Sequence, residues 1–307
     1  MAQKKVTLID GGLSTQLESQ GVDLTLFPQT WTAGLLSMED GCRCLATAHR
    51  AFYDAGADII LTSSYQTDTS SPQKLLSRSI SLALEQRDVF PNKKVFVSLG
   101  PWGAKEADGS EYTGKYGKEV THETLVDFHT SRLRKLLRDF PLNAARTVDG
   151  LAFETVPSAL EAQAICEVLS SYSSIPAWIT FSSSDGVTTC DGQPLDEVIT
   201  KVCTTFQGHV GPRYVGLNCV HPSVVTPFLD AVLPLSGFAG VVLYPNNGGK
   251  WNAETRVWED VDGDSVGFTV AAVEWARRIN ERGLEAFIGG CCSTDSATIK
   301  KLKTSLF

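Results

Sequence analysis

The chain has 307 residues, 42% of them apolar and 20% charged, with a formal net charge of -8. That length and apolar content suffice for a large buried core, and the acidic balance excludes a nucleic-acid partner, which needs a basic surface. No run is long and apolar enough to span a membrane, and the apolar stretch following residues 1–5 is too short for a signal-peptide core, so a cytoplasmic protein with reduced thiols is expected.

In chain order, the sequence presents eight short apolar, β-branched runs: 6–10, 58–62, 95–100, 150–154, 177–182, 214–218, 240–244 and 286–290. Continuous apolar character fits strands buried on both faces of a parallel sheet. Helical patterns fill the intervals. Ser37-Met-Glu-Asp40 reads as a capping box, with Asp in place of Glu. Leu45, Ala48, Phe52 and Ala55 form the apolar stripe of the helix it opens, and Gly56 is its expected C-cap. The Gly-, Tyr- and charge-rich stretch 105–118 reads as a mobile loop able to act as a lid. Ser158-Ala-Leu-Glu161 is a second capping box directly after the fourth run, and Val266, Val270, Val273 and Ala276 make a late apolar stripe. Eight strands alternating with helices predict a (β/α)8 TIM barrel, a single α/β domain over residues 1–307, with a doubly wound open sheet as the structural rival.

Function in such a barrel sits at the C-terminal ends of the strands. Run one ends in Asp10-Gly11-Gly12, run two passes into Tyr65, run four ends at Glu154, run six in Asn218-Cys219, and run eight in Gly289-Gly290-Cys291-Cys292. Cys219, Cys291 and Cys292 are the sharpest signal, because three thiolates and one open position suit a catalytic zinc ion. Adjacent cysteines in a strand point to opposite faces. Both can serve one metal only where the backbone leaves the strand, and Gly289-Gly290 allows that departure. The alternative is plain burial, since cysteine packs as a small apolar residue; Cys42, Cys44, Cys166 and Cys203 fall in helical patterns and are read as packing or surface thiols, and Cys190, in a Gly-, Asp- and Thr-rich loop, as incidental. A three-thiolate zinc site carries a formal charge of about -1 and favours a soft sulfur ligand over water. It therefore points to activation of a substrate thiol rather than hydrolysis.

Asp10 and Glu154 are the next candidates, as carboxylates able to grip an ammonium group or act as bases. Their alternatives are a turn residue for Asp10 and a surface ion pair for Glu154. The amides of Gly11, Gly12 and Leu13 form a candidate nest for a substrate carboxylate. Trp31, Tyr65, Trp102, Tyr112, Tyr116 and Trp251 are rim aromatics suited to a sulfonium or quaternary ammonium donor, with ordinary packing as the alternative. His221 begins a helix and is read as structural.

These residues fall in segments that resemble the homocysteine S-methyltransferase family, zinc-dependent barrels that include betaine–homocysteine methyltransferase and selenocysteine methyltransferase. The segments are Asp10-Gly-Gly-Leu-Ser-Thr-Gln-Leu-Glu18, Gly56-Ala-Asp-Ile-Ile-Leu-Thr-Ser-Ser-Tyr-Gln66, Gly100-Pro-Trp-Gly-Ala104, Asp108-Gly-Ser-Glu-Tyr-Thr-Gly114, Phe153-Glu-Thr-Val-Pro157, Gly216-Leu-Asn-Cys219 and Gly289-Gly-Cys-Cys292. The resemblance implies zinc on Cys219, Cys291 and Cys292, the homocysteine ammonium at Asp10 and Glu154 with its carboxylate near the following amides, and Tyr65 and Trp31 beside the donor or acceptor. Asn218 is included among the expected substrate contacts. The chain departs from the family pattern at Ser293, where an arginine is common, and mildly at Ser14. The implied reaction moves a methyl group from S-methylmethionine or S-adenosylmethionine to homocysteine. Betaine as donor, selenocysteine or another thiol as acceptor, a metal-free lyase using Glu154, and a non-catalytic zinc or thiol sensor are the alternatives. Expected partners are small molecules, and the oligomeric state is open between monomer and dimer.

Overall fold

In the computed structural model, which describes residues 6–142, 144–207, 211, 213–248, 250–252, 257–259 and 265–307, all eight apolar runs contain strands. They are β1 (Val6–Leu8), β2 (Ile59–Leu61), β3 (Lys94–Leu99), β4 (Gly150–Val156), β5 (Ala177–Phe181), β6 (Arg213–Asn218), β7 (Gly240–Tyr244) and, after an antiparallel pair β8 (Lys250–Asn252) and β9 (Val257–Glu259), β10 (Glu285–Ile288). The long sheet runs β1-β10-β7-β6-β5-β4-β3-β2, every neighbour parallel. Its two ends meet at a bridge between Ile9 and Ile59, flanked by backbone hydrogen bonds from Asp58 to Leu8 (2.7 Å) and from Asp10 to Ile59 (3.0 Å). The sheet thus closes into a TIM barrel, and the doubly wound alternative is set aside. Residues 1–5, on which the expectation of no signal sequence partly rested, lie outside the described residues.

The helices are α1 (Leu13–Ser19), α2 (Glu39–Asp54), α3 (Gln73–Arg87), α4 (Trp102–Glu106), α5 (His122–Leu136), α6 (Ala159–Ser170), α7 (Leu195–Thr205), α8 (Val225–Val232), α9 (Ser265–Glu281) and α10 (Ser296–Leu306). Among the described residues no helix is long and apolar enough to cross a membrane. The strands are apolar on both faces because each separates two cores. Ile9, Ile59, Phe96, Ala152, Trp178, Tyr214, Val242, Tyr244 and Phe287 fill the barrel interior. Their sequence neighbours, such as Leu151, Phe153, Val215 and Val241, pack outward under the helices.

Local expectations fared differently. Leu45, Ala48 and Phe52 are fully buried, so truncating Phe52 to Ala should cost about 3–5 kcal/mol. Gly56 follows α2 with φ +106°, and its amide donates to Tyr53 O at 2.9 Å. The first capping box does not form. Ser37 ends a 3-10 helix (Trp31–Ser37), donating to Gly34 O, and α2 starts from Met38 without a side-chain cap. The late stripe is also displaced. Val270 and Val273 are exposed, whereas Ala276 is buried as expected, together with Phe268, Ala272, Trp275 and Ile279. Both readings keep a helical period, and only packing selects the phase; the side chain of Val266 lies outside the described residues.

Candidate metal and substrate site

The polypeptide leaves β10 at Ile288, so Cys291 and Cys292 are not bound to strand alternation. Cys291 N donates to Pro245 O (2.9 Å), Asn247 N donates to Cys292 O (3.2 Å), and Ser293 turns the chain at φ +59°. Ser293 N donates to Thr15 Oγ1 at 3.0 Å, so the position that departs from the family pattern is anchored through its backbone to α1. Thr294 closes the turn on Cys291 O. This turn lies on Gly11 and Gly12. A Cβ at Gly12 would run into the Cys291 carbonyl, and one at Gly11 would sit 2.6 Å from Thr294 O. The Gly12 amide donates to Thr294 O (2.9 Å) and faces its Oγ1 (3.1 Å). The expected nest is therefore corrected at Gly12: its N–H is taken by the chain, and the lack of a side chain lets the cysteine turn approach.

Cys219 follows β6 at φ +53°, its amide donating to Tyr244 O at 3.1 Å. The three sulfurs converge within 4.8 Å of one another, with Cys219 Sγ and Cys292 Sγ 3.6 Å apart. Tetrahedral zinc with ~2.3 Å Zn–S bonds places sulfurs about 3.8 Å apart, close to the Cys219–Cys292 spacing, so this donor set fits the ion. Tyr112 brings its hydroxyl to 3.3 Å from Cys219 Sγ. Hydrogen bonds from Cys291 and Cys292, and then from Tyr112, hold the Cys219 thiol well below the usual range. The contact with Cys219 pushes the Cys291 and Cys292 thiols up in turn.

Beside the sulfurs lies a pair of buried carboxyls. Asp10 Oδ2 accepts from Leu61 N at 2.8 Å, and burial, then the Glu154 charge, raises its pKa well above the usual carboxylate range. Burial pushes Glu154 up to about 7, although Ser98 Oγ donates to its Oε1 and Tyr244 also bonds it. Tyr244 is fixed from below by Trp178 Nε1 (3.2 Å) and Thr180 Oγ1 (2.9 Å). Tyr65 stands nearby, its hydroxyl pushed up by burial, then by Glu111, with Cys219 and Glu154 as further charged neighbours.

Two expected contacts lie differently. Asn218 spends its side chain on the protein. Its Oδ1 accepts from Thr155 N (2.6 Å) and Thr180 Oγ1 (2.7 Å), and its Nδ2 donates to Thr155 Oγ1 (2.8 Å). It thereby holds Thr155 at φ +58°, a costly conformation for a β-branched residue, where the β4–β5 register shifts next to Glu154. Trp31 packs half-buried in a cluster with Leu17, Leu24 and Leu36.

Sequence reasoning gave no role to the clamp over the barrel mouth. Glu161, fully buried, accepts from Trp102 N (2.6 Å) and Tyr116 Oη (2.6 Å), and meets His129 Nε2 at 2.9 Å. Only half of the second capping box forms, Glu161 N donating to Ser158 Oγ at 3.2 Å, and the freed carboxylate ties down 102–116 instead. Arg132, also buried, donates to Gly100 O, Ser64 O and Tyr65 O at 2.7–2.8 Å. The expected loop 105–118 does cover the site, but as α4, a 3-10 turn (Ser110–Tyr112) and a tethered tyrosine. The missed signal was Glu161, an acid in a motif with no lysine or arginine three or four residues away to pair it on a helix surface.

A family model described as homocysteine S-methyltransferase matches residues 7–306. Homocysteine S-methyltransferase 4 of Zea mays is 34% identical, the alignment covering 96% of this chain and 87% of that protein. Homocysteine S-methyltransferase 1 of Arabidopsis thaliana is 34% identical, covering 97% and 93%, and a selenocysteine Se-methyltransferase of Brassica oleracea var. italica is 32% identical, covering 97% and 88%. Among solved structures, the metallated form of the homocysteine methyltransferase MmuM from Escherichia coli superposes with a TM-score of 0.77 at 28% identity, over 99% of this chain and 96% of that one.

Proposed function

The chain belongs to the homocysteine S-methyltransferase family, and from that premise we propose that it moves a methyl group from a small sulfonium donor, S-methylmethionine or S-adenosylmethionine, to homocysteine, giving methionine. The observation that carries the reading is the convergence of Cys219, Cys291 and Cys292 within 4.8 Å, beside the buried Asp10–Glu154 pair. In this reading one domain over residues 1–307 does the work in the cytosol, and the three cysteines hold zinc. Zinc bound there supplies the Lewis acidity that keeps an acceptor thiol deprotonated at neutral pH.

The remaining chemistry belongs to the chain. Asp10 and Glu154 hold the homocysteine ammonium, with Ser98 and Tyr244 fixing the Glu154 carboxyl. Asn218 and Thr180 set the bend at Thr155 that carries Glu154 into the mouth. The thiol proton passes to solvent water when the acceptor binds, before transfer. The acceptor sulfur then forms a bond to the methyl carbon while the bond from that carbon to the sulfonium sulfur breaks. The electron pair of the broken bond stays on the donor, which departs as a neutral thioether. Anion and cation cancel in this step, so a mouth screened from bulk water by Tyr65 and Tyr112, both close to Cys219, favours it. The selenocysteine-methylating relative supports a selenol as a second acceptor at the same sulfurs.

The test is a competition assay on zinc-verified protein with homocysteine and S-methylmethionine, S-adenosylmethionine and betaine carrying distinguishable methyl isotopes. Label in methionine from a sulfonium donor, abolished in Cys219→Ala together with bound zinc, is the expected result. No labelled methionine, or full activity in Cys219→Ala, would overturn the reading.

A further inference from the structure

We propose that Glu111 is the counter-charge for the methyl donor, selecting a sulfonium cation over the neutral thioether it becomes. The inference rests on the sulfonium donor proposed above. Glu111 is 9% exposed, and its Oε2 has no hydrogen-bond partner among the described residues. A buried carboxylate oxygen left unpaired is costly, and a cation is the ligand that relieves it.

The backbone that carries this carboxyl is held at the site on both sides. Glu111 sits in the Ser110–Tyr112 turn, whose next residue touches Cys219 Sγ at 3.3 Å. Behind the turn, a Cβ at Gly103 would lie 2.5 Å from Glu111 N, so the two backbones are in contact. Ahead of it, Tyr116 is locked on Glu161. Moving the Glu111 backbone therefore disturbs the contact of Tyr112 with Cys219.

The other two acids are differently engaged. Asp10 and Glu154 act on each other and are bonded by Leu61 N, and by Ser98 and Tyr244. The charged neighbours of Glu111 are Cys219 and Asp108, and the Tyr65 and Tyr112 rings feel its charge. It thus addresses the region in front of the thiol from a position of its own, among phenol rings that suit a sulfonium. Burial also pushes it up to about 7, as expected where the balancing cation arrives with the substrate.

The sign of the effect follows from the reaction. The donor is a full cation in the ground state, partly discharged in the transition state, and neutral as product. An ion pair with Glu111 is therefore strongest before transfer, so its loss raises the donor KM and leaves kcat unchanged or higher.

The experiment compares wild type with Glu111→Gln, zinc-loaded and full-length. Donor and homocysteine KM are measured, together with equilibrium titrations of S-methylmethionine and of its uncharged isostere, in which CH replaces the sulfonium sulfur. The expected result is a donor KM raised tenfold or more, homocysteine KM within twofold, and a tenfold or greater loss of preference for the cation. An unchanged preference, or a rise in homocysteine KM instead, overturns the proposal. Should the Gln variant not retain zinc, the same titration on Glu111→Ser decides by the same outcomes. Absence of methyl transfer by the unaltered protein would sink the enzymatic reading, while the titration still decides the role of Glu111.

Discussion

The hydroxyl of Tyr112 and the sulfur of Cys219 are 107 residues apart in the chain and 3.3 Å apart in space. A phenol donating to a thiolate draws off part of its charge, and interactions of this kind behind a metal ligand tune the metal. Tyr112→Phe keeps the ring and removes the donor. It should bind zinc about tenfold less tightly or turn over about tenfold more slowly, with Tm nearly unchanged. A competition titration against a chromogenic chelator and a methyl-transfer assay read the two effects. Wild-type values in both would show that the contact is only packing.

Gly12→Ala tests the seam between α1 and the cysteine turn. The backbone dihedrals at this position, φ -65° and ψ 109°, suit alanine, so any penalty is steric. The new methyl meets the Cys291 carbonyl, which must shift. We expect about 1–3 kcal/mol of lost stability and weaker zinc binding, because the displaced turn carries two of the three sulfurs. Unfolding midpoints with and without zinc measure both. A variant that loses stability yet keeps full zinc affinity would show that the turn and its sulfurs move independently.

Glu154 gives the site a pH dependence. Burial holds the proton on its carboxyl up to about 7, and an incoming ammonium prefers the ionised form. Binding of methionine, which has the ammonium of homocysteine but no thiol to titrate, should tighten as pH rises through 7. It should weaken by up to about tenfold per pH unit below that. Calorimetric titration across pH 5.5–8.5 checks the slope, and Glu154→Gln should flatten it. A flat profile in wild type would remove Glu154 from the ammonium site.

His49 sets an acid limit on stability. It is fully buried on α2 with neither ring nitrogen bonded among the described residues, and burial lowers its pKa from 6.5 to about 4. A depressed folded-state pKa means that the neutral ring favours folding above 6.5. That stability is lost as pH falls through 6.5 towards 4, by roughly 3 kcal/mol in all. His49→Leu should abolish this component, so the variant denatures at lower pH than wild type. Superimposable acid-unfolding curves would contradict the assignment.

The strands were legible because a barrel strand is buried on both faces, which writes an uninterrupted apolar run into the sequence. Runs such as 95–100 and 240–244 carry this mark. The phase of α9 was not legible, since Val270 and Val273 obey the helical period as well as Phe268 and Ala272 do. The Ser37 box failed for a related reason. A capping motif states a local preference, and here the preceding 3-10 helix claims the serine.

For the site, the sequence by itself located the candidate groups. Cysteines and acids at the ends of apolar runs, with glycines beside them, are the residue types that the proposed thiolate metal centre and ammonium grip require. Only the tertiary structure decided who stands behind those groups. Asn218 turned from substrate contact into the brace of Thr155, Gly12 from anion nest into clearance for Cys291, and Glu161 from helix cap into the clamp of the mouth. Each of these roles depends on which partner occupies the last unfilled hydrogen bond or the last ångström of space. Such partners lie tens to hundreds of residues away, and no local pattern of residues encodes them.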